Sequence, residues 1–158
     1  MKHKYVVDLN IARRAQTLTD VGGQFSKVSA RVLTELLGRC HSIVLCTEIL
    51  AGYSDLADEL EDSGAAQGPS IFGLAAATWT VDGKWLRVPP PPAVHGEDDV
   101  KDDDRVLVRL AVAHAAHIIT EDGPLREAIT ESQVLQAQGV SVLSVAEGLQ
   151  HILDADDP

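Results

Sequence analysis

Residues 101–122 read Lys-Asp-Asp-Asp-Arg-Val-Leu-Val-Arg-Leu-Ala-Val-Ala-His-Ala-Ala-His-Ile-Ile-Thr-Glu-Asp. The stretch opens with three consecutive carboxylates, Asp102, Asp103 and Asp104. Val106, Leu107, Leu110, Ala111 and Ala113 to Ala115 then recur at helical spacing. Ile118 and Ile119 follow as a short buried strand that stops at Thr120-Glu121-Asp122. A helix of about twelve residues crosses one layer of an α/β domain at about 1.5 Å per residue. An acid at its start and another just past the next strand can therefore face one cleft. Acids also suit the positive end of a helix dipole, and the competing reading of the Asp102–Asp104 run is a solvated cap.

Towards the N-terminus, Lys4 to Asp8 reads as strand one, with Tyr5, Val6 and Val7 as β-formers and Asp8 at its end. Leu9 and Asn10 follow at the carboxyl end of that strand, where open parallel sheets place ligand sites. Arg13 and Arg14 come next and flank the same place. After Gly22-Gly23, the residues Phe25, Val28, Val32, Leu33, Leu36 and Leu37 predict an amphipathic helix ending near Gly38. Ile43 to Cys46 is a second buried strand. Thr47 then reads as an N-cap, with Glu48 in the first turn of a helix carrying Ile49, Leu50, Tyr53, Leu56 and Leu60. Glu48 thus takes the same structural place as Asp8, although a first-turn Glu also serves the dipole alone.

Residues 63–70 read as a flexible link and Ile71 to Thr78 as a short helix. A turn at Asp82-Gly83 leads to an edge strand at Trp85 to Val88, which Pro89 to Pro92 end. His95 to Asp99 is an acidic loop. Beyond Asp122, Gly123-Pro124 starts a helix through about Glu131, Val140 to Leu143 is a last strand, and Ser144 caps a helix to Leu153. Residues 154–158 form an acidic tail. Strand and helix alternate, so the expected class is α/β, one domain over 1–153 with a mostly parallel sheet covered on both faces.

An apolar content of 45% in 158 residues suits a globular chain with a proper core. No apolar run approaches the ~20 residues of a membrane span. The few apolar residues before Asp8 are too short for a signal-peptide core of about 7–15, so a cytoplasmic location is expected. Cys40 and Cys46 border apolar segments and read as reduced core thiols. His3, His41, His95, His114, His117 and His151 are scattered, and none is expected to hold a metal. Thirteen basic residues against 24 acidic ones give a net charge of −11, which argues against a broad nucleic-acid-binding face. It leaves room for a nuclease, because a bound divalent ion attracts phosphate by itself.

Asp8, Glu48 and Asp122 fall at or just past strand ends, and Asp104 opens a helix between strands. Carboxylates crowded into one cleft repel one another unless a cation neutralises them. Hard oxygen donors without Cys or His suit Mg²⁺ or Mn²⁺. Phosphodiester hydrolysis is the matching reaction class, since it needs no nucleophilic side chain.

Four segments in order carry a resemblance: Val-Val-Asp8-Leu-Asn10; Ile-Val-Leu-Cys-Thr-Glu48-Ile-Leu-Ala-Gly-Tyr53; Lys101-Asp-Asp-Asp104-Arg-Val-Leu-Val-Arg-Leu-Ala; and Ile-Ile-Thr120-Glu-Asp122-Gly-Pro-Leu125. Together they resemble the PIN domain, most of all the VapC-like toxin components of prokaryotic toxin–antitoxin systems. The similarity runs from strand one to the closing strand and helix. It implies a three-layer α/β/α sandwich carrying a Mg²⁺- or Mn²⁺-dependent ribonuclease site. By position, Asp8, Glu48, Asp104 and Asp122 match the acidic quartet, Asn10 the polar residue after the first acid, and Thr120 the threonine of the last motif. Asp102 and Asp103 are alternatives for the third acid; Asp104 alone directly precedes the Val-Leu-Val-Arg-Leu-Ala pattern. RNA is the implied substrate, with Arg13, Arg14 and Arg105 as candidates to meet its phosphates. An antitoxin protein and a second copy of the chain are the implied partners, the latter through an apolar stretch such as Ile71 to Trp79.

Two departures from the pattern stand out. Residues 11–24 lack the usual short small-residue turn, and 64–78 is bland where the family often has a charged helical arm. Two other readings compete. A receiver-type Mg²⁺-binding signalling domain would need an acidic pair after strand one and a lysine beyond the last strand, and this chain has neither. A catalytically silent PIN-like interaction module would not need all four acids.

Overall fold

The computed structural model describes residues 2–155. Five strands, β1 (Lys4–Val7), β2 (Ser42–Leu45), β3 (Trp85–Arg87), β4 (His117–Ile119) and β5 (Ser141–Leu143), lie in the order β3-β2-β1-β4-β5. Every pairing is parallel, with Tyr5 opposite Ile43 and His117, and His117 opposite Ser141. The helices are α1 (Leu9–Thr17), α2 (Val28–Gly38), α3 (Thr47–Asp62), α4 (Ile71–Thr78), α5 (Arg105–His114), α6 (Gly123–Glu131), α7 (Gln133–Ala137) and α8 (Val145–Asp154).

The period-two alternation of the strands decides which helices cover which face. Tyr5, Val7, Ile43, Leu45 and Ile119 point into one core, against α1, α2, α3 and α8. Val6, Val44 and Ile118 point into the other, against α5, α6 and α7. Strands buried on both faces have to be apolar throughout, as β1 and β2 are after their first residues. The result is a three-layer α/β/α sandwich. Truncating a residue such as the fully buried Ile118 to Ala would cost about 2–5 kcal/mol.

The chain runs from β1 outward through β2 to β3, then returns to the other side of β1 for β4 and β5. The seam between β1 and β4 is therefore the switch point at which open α/β sheets bind ligands beyond their carboxyl ends. Asp8 and Thr120 are the first residues past those two strands.

Several local readings change. Helix α1 begins directly after Asp8 and was not evident in the sequence, because its buried face is Ile11, Ala12, Ala15 and Gln16. Phe25 does not join α2; it sits 69% exposed in an isolated bridge with Thr19. Cys46 rather than Thr47 holds the cap position of α3, with no side-chain hydrogen bond there. Cys40 is exposed in the turn after α2, so only Cys46 is a core thiol. The link at 63–70 is pinned, since the amides of Gln67 and Gly68 both donate to the Gln16 carbonyl at 2.8 Å. Gly68 is required there, because a Cβ would strike the Ala15 carbonyl oxygen. Helix α5 stops at His114 because Ala115 takes a left-handed φ of 50°. Asp154 closes α8 instead of opening the tail, and residues 156–158 of that tail lie outside the described residues. Among the described residues no helix is long and apolar enough to cross a membrane.

One ion pair fixes the loop that precedes the third acid. Glu97, 6% exposed, accepts from Arg109 Nε at 2.8 Å and Nη2 at 2.5 Å, and from the Val94 amide at 2.9 Å. The Arg109 bonds hold the Glu97 carboxyl down at about 2 from its ordinary 4.5. An acid lowered on folding stabilises the fold above its unfolded pKa, and that gain is lost as pH falls through the folded value. Glu97→Gln should therefore lower Tm at pH 7. The gap to the native chain should shrink as pH falls from about 4.5 towards 2, as thermal melts across that range would show.

Candidate metal centre

Asp8 ends β1 and caps α1, so its side chain leaves a strand and meets a helix start at once. It is 9% exposed. Its Oδ1 accepts from the Leu9 amide at 2.6 Å, and its Oδ2 from Asn10 Nδ2 at 2.9 Å and Thr120 Oγ1 at 2.6 Å. A carboxylate has roughly four acceptor directions, so about one remains for a further ligand. Burial raises the Asp8 pKa above its ordinary value; the Thr120 and Leu9 bonds oppose the rise, and the Asp122 charge adds to it.

Thr120 joins the two central strands. Fully buried just past β4, it donates to Asp8 and accepts from Asn10 Nδ2 at 3.1 Å and from the Asp122 amide at 3.0 Å. Asn10 Oδ1 in turn accepts from the Glu121 amide at 3.3 Å. One hydroxyl and one amide thus set the spacing between Asp8 and the turn that carries Asp122. Asp122 caps α6, its Oδ1 accepting from Leu125 N at 2.9 Å.

Asp104 is half-buried at the junction of a 3-10 turn (Asp102–Asp104) and α5. Burial raises its pKa most, followed by the charges of Asp8 and Asp122, with Lys101 opposing. These acids come from three separate segments; the charge of Asp122 bears on Asp8, and the charges of Asp8 and Asp122 bear on Asp104. Glu48 is exposed in the first turn of α3 and lines a cleft of about 210 Å³ with Asp8, Asp103 and Asp104. Asp102 points away, 85% exposed and paired with Arg105 at 2.7 Å. The cleft's other walls are Leu9, Ile49, Gly52, Tyr53, Val106 and Leu107. Tyr53, whose hydroxyl donates to the Val7 carbonyl, braces the end of β1 and is pushed well above its ordinary pKa by burial. The sequence places Tyr53 with Ile49 on the apolar face of this helix, and nothing in the spacing foretells its hydroxyl's bond to the end of β1.

The donor set fits a hard divalent ion: oxygen atoms only, several like charges, and an open side at the cleft. Like charges also keep the acids apart. Among the described residues, no three of them bring one oxygen each within 4.8 Å of one another. Holding an ion would need side-chain rotation, which the exposed Glu48 and half-buried Asp104 and Asp122 have room to make.

The three arginines named from the sequence are all engaged. Arg13 forks onto Glu59 of α3 with two 3.0 Å bonds in an exposed pair. Arg14 donates to the Asp20 carbonyl and holds the turn after α1. Arg105 bonds the Val100 carbonyl at 3.0 Å besides its pair with Asp102, tying down the loop before Asp104.

No family model matches the chain, and no curated protein matches it. Among solved structures it is similar to a PilT N-terminus domain protein from the hyperthermophilic archaeon Sulfolobus solfataricus P2. The two share 16% identity over 98% of each chain, with a TM-score of 0.44.

Proposed function

We propose that this chain is a divalent-metal-dependent ribonuclease of PIN type, in which Asp8, Glu48, Asp104 and Asp122 hold Mg²⁺ or Mn²⁺. The single observation that carries the reading is the junction at the β1–β4 switch point, where the Thr120 hydroxyl bonds both the Asp8 carboxylate and the Asp122 amide while Asp8, Glu48 and Asp104 line one cleft. The four-motif resemblance and the hard-oxygen donor set support it. When bound, such an ion supplies Lewis acidity towards a phosphate oxygen and makes a water more acidic. The protein's share is placement: Thr120 and Asn10 fix the Asp8 carboxylate, and the α6 cap orients Asp122. Asp103, on the cleft wall beside Asp104, is an auxiliary acid.

RNA as substrate, a toxin role in the cytoplasm and an antitoxin partner rest on the motif resemblance. A homodimer would use α4, where Phe72 in its first turn and Trp79 just past its end are 37% and 41% exposed. Arg13 is the substrate candidate most readily freed, because solvent screens an exposed pair such as Arg13–Glu59 and it holds weakly.

Purified protein incubated with mixed RNA should cleave it in Mn²⁺ and stop on chelation. Arg13→Ala should weaken RNA binding and flatten its logarithmic salt slope by about 0.7 for the lost phosphate contact, with metal dependence unchanged. Cleavage that persists in chelator would reject the metal reading. An unchanged salt slope would move the RNA path away from α1.

A further inference from the structure

The opposite edge of the sheet gathers histidines that the sequence leaves far apart. His3 directly precedes β1, His117 opens β4, and His151 lies in the last turn of α8. One ring nitrogen from each lies within 4.8 Å of the others, and all three rings are half-buried. Their ring centroids are 4.4 Å apart for His117 and His151, 4.9 Å for His3 and His151, and 5.5 Å for His3 and His117. From this geometry we infer a second metal site, formed by His3, His117 and His151, that takes a borderline transition ion of the Zn²⁺ class.

The ring partners support that reading. His117 Nδ1 meets Ser141 Oγ at 3.0 Å, and His151 Nδ1 meets the Tyr5 hydroxyl at 2.7 Å. Both oxygens can accept, so each Nδ1 can carry the proton and leave Nε2 to bind; metal-ligating histidines are usually oriented this way. Tyr5 is fully buried, which fixes its hydroxyl and through it the His151 ring. Burial and the neighbouring imidazoles also hold His117 down at about 4 and lower His151, which favours the neutral form a ligand needs. His41 stands close by but is committed elsewhere: its Nδ1 accepts from the His3 amide at 3.2 Å and its Nε2 meets the Ile152 carbonyl at 3.3 Å. It supports the site from behind.

Three imidazoles suit Zn²⁺, Co²⁺ or Ni²⁺ and disfavour Mg²⁺, so this site and the carboxylate cleft select different ions. Tetrahedral Zn²⁺ with bonds of about 2.0–2.1 Å needs ligand nitrogens about 3.3 Å apart, so a pair at the 4.8 Å limit would have to close by about 1.5 Å. The fourth position would hold water. The ion would tie the start of the chain to its final helix across β4. The site is independent of the nuclease reading, because it shares no residue with the cleft.

The test uses the full chain, chelator-stripped, with excess Mg²⁺ to occupy the carboxylates. One equivalent of Zn²⁺ should shift the imidazole ¹⁵N resonances of His3, His117 and His151, leave those of His95 and His114 in place, and raise Tm. His151→Gln should weaken zinc binding by at least about a hundredfold, the upper end of what losing an outer partner costs. Asp122→Asn should leave zinc binding unchanged, even where it abolishes any response to Mn²⁺. Unmoved ring resonances, or zinc binding lost in Asp122→Asn and kept in His151→Gln, would overturn the proposal. Should His151→Gln fail to fold, the ring resonances of the native chain decide alone.

Discussion

Asp8→Asn should reduce metal-dependent RNA cleavage by about 10²–10³-fold or more, the cost of losing one transition-state electrostatic contact, while the chain stays folded. The asparagine keeps one acceptor oxygen, so Thr120 and Asn10 can still be served and the Leu9 amide loses its partner. That loss, about 1 kcal/mol for a cap, is offset by removing a buried charge. The pH dependence gives an independent sign. Because the folded Asp8 pKa is raised above its ordinary 3.8, the native chain loses stability from Asp8 as pH rises from about 3.8 through the folded value. In Asp8→Asn that loss should be absent. Melting curves from acid to neutral pH, run without divalent ions, would compare the two slopes. A variant that cleaves normally would remove Asp8 from the site.

Thr120→Val should be the most damaging change to the fold among the site residues. Valine has nearly the same shape, so packing against its neighbours survives. What goes is the hydroxyl that serves Asp8, Asn10 and the Asp122 amide together. A buried polar group left without its partner costs about 1–3 kcal/mol. With three groups affected and some relaxation, a total near 3 kcal/mol is expected. For a chain of this length that corresponds to a drop in Tm of about 6–12 °C. Asp8 should also become harder to ionise, because the Thr120 bond is the largest influence holding its pKa down. Thr120→Ser should restore most of both losses. If Thr120→Val melts like the native chain, the hydroxyl is not the link between the strands.

The places of the acids in the fold could be read from the sequence because each obeys a local rule. Asp8, Glu48 and Asp122 follow apolar runs and start helices, and a parallel sheet sends all such positions to one edge. Helix α1 was hidden because its core face is Ile11, two alanines and Gln16, which give little periodic contrast beside Arg13 and Arg14. The arginines show a different limit. Net charge and proximity suggested substrate contacts, but side-chain geometry ties Arg105 and Arg14 to their own loops, and nothing in residue spacing foretells a carbonyl partner. The histidine trio shows a third limit: its members lie far apart in sequence, so no ligand spacing along the chain marks them. Strands β1 and β4 both begin beside a histidine, so the strand reading alone already placed His3 and His117 on one edge. His151 required the docking of α8, which only the tertiary structure supplies.

The central claim is that four separated carboxylates act as one divalent site, and Mn²⁺ titration followed by electron paramagnetic resonance tests it most directly. In the native chain, the free-ion signal should be suppressed until a stoichiometric amount of Mn²⁺ has bound, and added Mg²⁺ should restore it by competition. Asp8→Asn and Asp122→Asn should each leave most of the ion free at the same concentrations. A free-ion signal that grows from the first addition, equally in the native chain and both variants, would contradict the account.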